Sequence, residues 1–228
     1  INADQWRAID KISRELTSSG IRLTTRQTFQ YHGILKRNVK KLIKGINDAF
    51  IDSLAACGDV NRNVLCNSNP LESVHHEEVY KDAVSVSNHL LPKSQAYHEI
   101  WLDEEKVADV KEEKETIYGS TYLPRKFKIS IAIPPHNDVD VNGNDLSFVA
   151  IIEEDKLIGY NVLIGGGMGC THSTPGTYPQ IAKDIGFINK SEICNIAESV
   201  VTTQRDFGNR TDRKQARLKY TVDRIGVD

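Results

Sequence analysis

The sequence has few of the features that usually announce a function. Its four cysteines stand at 57, 66, 170 and 194, and no two share the C-x-x-C spacing of a zinc site or a redox dithiol. Thiols scattered this widely over 228 residues read as reduced, cytosolic side chains that fill small core sites. The chain opens on Ile1 and holds one methionine, Met168, so it reads as an internal or trimmed segment of a longer protein. No signal peptide opens it, and no apolar run approaches the roughly 20 residues that cross a bilayer, so no membrane partner is expected. The formal net charge is −2 and the pI is near 6.4. A general nucleic-acid binder carries a basic excess instead, so any functional positive field must be local. A G-x-S-x-G elbow and a Walker loop are both missing, which leaves hydrolase and NTPase readings without a signature. The seven histidines, at 32, 75, 76, 89, 98, 136 and 172, lack the i, i+4 spacing of a metal-binding helix pair, and no metal ligand is assigned.

What is present has the composition of an ordinary globular protein, 39% hydrophobic and 26% charged, in a chain long enough for one large domain or two small ones. Trp6, Ile9, Ile12 and Leu16 recur at helical spacing, and Gly20 offers a stop. Short strands are expected over 21–25 and 29–35. A second helix is expected over 37–56, with Val39, Leu42, Ile43, Ile46, Phe50 and Leu54 on one side and Lys36, Lys40, Lys41 and Lys44 opposite. Asn69, Pro70 and Glu72 mark a helix start, and that helix should run to about Leu91. A strand over 97–102 and a charged, solvated loop over 104–114 follow. The alternation of Phe127 to Ile133 makes the best strand. Strands over 146–152 and 157–164 flank the polar turn Glu153–Lys156 as a hairpin. Helices over 191–204 and 213–224 close the chain. The class is α+β, a mixed sheet flanked by helices.

Two motifs are weaker than they look. Asp138-Val139-Asp140-Val141-Asn142-Gly143 matches the first half of a calcium loop, but position twelve is Val149 and the flanks are strands, so it reads as a polar turn. In the run Gly165-Gly166-Gly167, Gly165 and Gly167 follow a strand as in a dinucleotide fingerprint, but the third glycine of that pattern is replaced by Cys170. What remains is bare backbone whose amides can approach an anion. The placement of cations says more. Arg26 lies between short strands and Arg62 between asparagines. Arg125-Lys126-Phe127-Lys128 enters the best strand, with Lys126 and Lys128 expected on one face. Arg205, Arg210, Arg213 and Lys214 surround Gly208. Cations gathered at element ends suit a polycarboxylate cofactor, a small oxyanion or a phosphate backbone.

Four stretches resemble the siroheme-containing sulfite and nitrite reductases, and most of all the hemoprotein β subunits of NADPH-dependent assimilatory sulfite reductase. They are Leu23–Gly33, Asn61–Cys66, Tyr122–Lys128 and Gln204–Lys214, and the likeness runs in order over essentially the whole chain. The resemblance implies six-electron reduction of sulfite to sulfide at siroheme beside a 4Fe–4S cluster. It implies that Arg62, Lys126 and Lys128 bind sulfite, and that Arg26, Gln30 and Arg125 hold the macrocycle. Gly165, Gly166, Gly167, Arg210, Arg213 and Lys214 would lie along it. The family's cluster cysteines, in C-x₅-C and C-x₃-C spacing, have no counterpart here, so the cluster ligands belong to the C-terminal half outside this chain. The resemblance further implies a flavoprotein reductase subunit as electron donor and a cytoplasmic location. Residues 1–56 are expected to be part of a ferredoxin-like half-domain and 57–228 the siroheme-binding domain, inactive on its own. A siroheme nitrite reductase and a non-catalytic anion- or RNA-binding module remain as alternatives.

Overall fold

In a computed structural model, residues 1–24, 27–51, 53, 59–61, 63–93, 100–102, 105–108 and 115–227 are described. Two compact units divide the chain, Ile1–Ala56 and Cys57–Asp228.

In the first unit, α1 (Ala3–Leu16) opens on a capping box. Asn2 Oδ1 accepts from the Gln5 amide and Gln5 Oε1 from the Asn2 amide, so two orphan donors of the first turn are met. The expected stripe of Trp6, Ile9, Ile12 and Leu16 is buried at its last three positions and leaves Trp6 44% exposed. It packs on Leu42 and Ile46 of α2 (Val39–Asp48), and the antiparallel hairpin β1 (Ile21–Leu23) and β2 (Phe29–Tyr31) adds Tyr31. The second helix is shorter than its periodicity predicts. Phe50 takes φ +54° and the Ile51 amide turns back to the Ile46 carbonyl, which ends the helix and leaves Phe50 94% exposed. Leu54 lies outside the described residues.

The second unit is built on a five-stranded sheet in the order β3-β6-β7-β8-β9. Its strands are β3 (Val64–Leu65), β6 (Ile129–Ala132), β7 (Leu146–Glu153), β8 (Lys156–Ile164) and β9 (Lys183–Asn189). The first three run parallel, and β7, β8 and β9 are successively antiparallel. The hairpin β7–β8 turns through Glu154 and Asp155, both at positive φ, as a two-residue turn requires. β6 is buried at all four positions, because it lies between two strands and both its faces are covered.

Among the described residues, three α-helices complete the unit: α3 (Val74–His89), α4 (Ile193–Phe207) and α5 (Leu218–Ile225). Val79, Ala83 and Val86 of α3 and Ala197 and Val201 of α4 share the core with Ile129, Ile131, Phe148, Tyr160 and Val162. Each large apolar side chain so buried contributes about 1.5–3 kcal/mol. Expectation and structure part in several places, one being that the helix expected over 213–224 is a 3₁₀ turn, Arg213–Gln215, followed by α5. α3 is capped by Ser73, whose Oγ accepts from the His76 amide. Asn69 instead makes a local turn to Leu71. The stretch expected as a solvated loop contains β5 (Glu105–Ala108), paired with β4 (Ile100–Leu102); 94–99, 103–104 and 109–114 lie outside the described residues. β9 was not expected at all.

Candidate functional site

The sheet register gathers one set of residues at one end. Ile129 pairs with Val64 and with Leu146, Leu146 with Ile164, and Ile164 with Lys183. The starts of β3, β6, β7 and β9 and the finish of β8 therefore lie side by side. The residues just beyond that edge are the cation run 125–128, the turn 137–145 and the glycine run 165–169.

Asp145 ties these pieces together. Only 1% of its side chain is accessible. Its Oδ2 accepts from the Lys128 amide at 3.0 Å, its Oδ1 from Arg217 Nε at 2.8 Å, and its carbonyl from the Gly165 amide at 2.8 Å. Asn144, just before it, donates from Nδ2 to Ser130 Oγ and to the carbonyls of Val139 and Asp140. Ser147 Oγ donates to the Val141 carbonyl. Because these groups are buried and satisfied, the turn before β7 is rigid. Asp138–Gly143 is thus the polar turn expected, with Asp140 at φ +53° and its carbonyl accepting from the Gly143 amide.

Positive charge accumulates around this hub. The Arg125 guanidinium is held below its ordinary pKa by burial and by the charges of Arg213 and Arg217, with Asp145 opposing. Lys126 is exposed, Phe127 is buried and Lys128 is half-buried. The two lysines alternate with the phenylalanine as expected, although they precede β6 rather than belong to it.

The glycine run corrects one expectation. The amides of Gly165 and Gly167 are not bare, since they donate to the carbonyls of Asp145 and Gln180. A side chain at Gly166 would meet the carbonyl oxygens of Asn142 and Asn144 at 2.4 and 2.5 Å, so close approach to the 142–144 turn requires glycine there. The carbonyls of the run point to a cation that sequence reasoning missed. Lys219, 1% exposed, donates from Nζ to the carbonyls of Gly167, Gly169 and Tyr178. Its ammonium lies 4.9 Å from the Tyr220 ring centroid and 5.6 Å from that of Tyr178. Burial first, then the charge of Arg217, lowers its pKa.

The remaining candidates divide. Arg210 donates to the carbonyls of Thr121, Tyr122 and Arg205, so its guanidinium fastens the 121–122 stretch to the end of α4. Arg213 is exposed in a 3₁₀ turn, and Lys214 Nζ donates to Thr174 Oγ1 at 3.0 Å. Gln30 is an exposed residue of β2 whose Oε1 lies 3.2 Å from His32 Nε2. Arg26, Arg62 and Cys57 lie outside the described residues. No group of three or more potential metal ligands is found among the described residues, and none of their helices is long and apolar enough to cross a membrane.

The cysteines differ from one another. Burial and the charge of Asp138 push the Cys66 thiol up to about 11, whereas Cys170 is exposed in the loop after the glycines, contrary to the core-filling expectation. Iodoacetamide should therefore label Cys170 well before Cys66, a difference that peptide mass mapping reads directly.

Residues 82–228 match the family model described as the nitrite and sulphite reductase 4Fe-4S domain, and residues 1–49 match the nitrite/sulfite reductase ferredoxin-like half domain. The chain belongs to the nitrite and sulfite reductase family. It is 60% identical over 223 residues to the sulfite reductase [NADPH] hemoprotein beta-component of Staphylococcus epidermidis, covering 98% of this chain and 39% of that protein. It is 59% identical over 226 residues to the same component of Anoxybacillus flavithermus, covering 99% and 40%. The chain thus spans about two-fifths of the length of these relatives. Among solved structures, the Mycobacterium tuberculosis NirA protein superposes with a TM-score of 0.68 at 24% identity, covering 97% of this chain and 35% of that one. Dissimilatory sulfite reductase I superposes with a TM-score of 0.58 at 11% identity, covering 99% and 64%. Both likenesses are of fold.

Proposed function

We propose that this chain is the siroheme- and sulfite-binding part of a sulfite reductase hemoprotein, whose complete form reduces sulfite to sulfide by six electrons in assimilatory sulfate reduction. The observation that carries the reading is the meeting of the cation run Arg125–Lys128 with Arg217 on the buried Asp145 carboxylate at one end of the sheet. After burial, the charges of Arg213 and Arg217 lower the Arg125 pKa with Asp145 opposing, and a bound polyanion would offset the repulsion that remains.

The donor set fits a macrocycle with eight carboxylates. Arg125, Arg213 and Lys214 would hold its acid groups, and the resemblance gives Arg26 and Gln30 the same role; the glycines would serve it indirectly, by letting the 165–167 backbone pack on the 142–144 turn and on α5. Arg210 serves the same site by fastening the stretch that leads to Arg125. When bound, siroheme with its neighbouring 4Fe–4S cluster supplies the iron and the electrons. The cluster ligands come from the C-terminal half of the longer protein, and a flavoprotein subunit in the cytoplasm feeds it.

This chain's own contribution is charge and protons. Arg62, Lys126 and Lys128 concentrate the sulfite anion and polarise its S–O bonds. As oxygens leave as water, the Nζ ammonium groups of Lys126 and Lys128, or waters they order, deliver protons to them.

The complete protein with a chemical electron donor is expected to turn over sulfite in preference to nitrite, and this chain alone to turn over neither. Preference for nitrite would reassign the substrate. Steeply salt-dependent nucleic-acid binding without turnover would favour a binding module.

A further inference from the structure

The two cation-bearing stretches of the proposed anion site are far apart in sequence, and one buried hydroxyl spans the gap. Tyr118, among the largest fully buried side chains, accepts from the Asn61 amide at 2.9 Å and donates to the Leu90 carbonyl at 2.6 Å. Its ring stacks on Tyr122, 6.0 Å between centroids and 6° from parallel. One residue further on, the Leu123 amide donates to the Asp59 carbonyl at 2.8 Å. Asn61 immediately precedes Arg62, and Leu123 is two residues ahead of Arg125.

The 59–61 turn needs such an anchor. Asn61 is 0% exposed, yet among the described residues neither its Oδ1 nor its Nδ2 finds a hydrogen-bond partner, and neither does Asp59 Oδ1. Unmet polar groups in a buried turn are unfavourable and persist where the surroundings hold the backbone in place. The segment that does so is itself fixed. Glu115 caps the amides of Lys93 and Ile117, Arg205 donates to the Ile117 carbonyl, and Arg210 grips Thr121 and Tyr122.

We propose that Tyr118 is a positioning residue for the anion site, its hydroxyl setting the spacing between the turn that leads into Arg62 and the stretch that leads into Lys126 and Lys128. This rests on the sulfite-binding reading above. Tyr118 itself touches no substrate. It acts by holding the backbone of the 59–61 turn against the 118–123 stretch, and a fixed framework of that kind is what preorganisation requires.

The test is Tyr118→Phe in the complete holoprotein, which keeps the ring and removes both hydrogen bonds. Sulfite affinity, read from the sulfite-induced shift of the chromophore, should weaken about tenfold. The affinity of the reduced protein for carbon monoxide, a neutral ligand, should stay within twofold. Unchanged sulfite affinity overturns the proposal, and so does an equal loss for both ligands, which is general damage. Hydrogen exchange on the unaltered protein gives a second measurement that needs no variant. The Asn61 amide should exchange as slowly as the β6 core, and rapid exchange overturns the proposal. A wild-type holoprotein with no sulfite-induced shift would instead defeat the functional reading, while the exchange result would still report on the Tyr118 anchor.

Discussion

Asp145→Ala should be the most damaging single substitution in the larger unit, costing about 3–5 kcal/mol of stability, the range found when one partner of a buried ion pair is removed. Three connections meet at this residue, and two run through its carboxylate. With the carboxylate gone, Arg217 keeps a charged side chain that is only 17% accessible, and the Lys128 amide loses its acceptor. A domain is stable by about 5–15 kcal/mol in total, so the loss is a large share of the whole. Asp145→Asn should be milder, because one carbonyl oxygen can still accept from one of the two donors while its NH₂ faces the other. The measurement is the urea midpoint of each variant. A lower midpoint with unchanged slope reports lost stability rather than an altered unfolded state. An unfolding free energy for Asp145→Ala within about 1 kcal/mol of wild type would show that the hub is not what holds this end of the sheet.

Lys126→Ala and Lys128→Met should do the opposite, weakening sulfite use strongly while leaving the fold nearly intact. A hydrogen bond from a charged group contributes about 1.5–3 kcal/mol, so each change should lower kcat/KM for sulfite in the complete enzyme by roughly 10- to 150-fold. The amide at position 128 that donates to Asp145 is kept in Lys128→Met, since any residue but proline supplies it. Salt should compete more weakly with the remaining binding, since fewer fixed charges attract the anion. A variant whose stability and kcat/KM fell together would place the lysine in the framework rather than at the anion.

Much of the framework is legible in the order of residues. The β7–β8 hairpin shows because alternation on both sides frames a polar two-residue turn, and α1 because Ile9, Ile12 and Leu16 repeat at helical spacing. The elements that were misjudged depend on contacts that periodicity does not contain. β9 is an exposed edge strand with Gly186 at φ +114°, and only its pairing with β8 makes it a strand. The premature finish of α2 depends on Phe50 adopting positive φ, which no apolar pattern announces.

The same division holds at the site. The cations of 125–128 and 213–214 stand at element ends, where local reasoning finds them. Asp145 reads as an ordinary charge before a strand until the fold buries it between Lys128 and Arg217. Lys219 left a faint signal, because it sits three residues before Val222 on the apolar face of α5, where both are buried. A lysine on such a face needs acceptors, and they come from a glycine run some 50 residues away in sequence. Tyr118 gave no signal, since a tyrosine in a turn says nothing about which distant amide its hydroxyl will meet.

The central claim is that this chain presents a cationic pocket to sulfite at siroheme, and an absorption spectrum of the complete protein before and after sulfite tests it most directly. Siroheme bands that shift with sulfite, and no longer shift in Arg62→Ser or Lys126→Ala, are the predicted result. A complete protein without a chromophore, despite siroheme supplied during expression, or bands that shift equally in wild type and both variants, would contradict it.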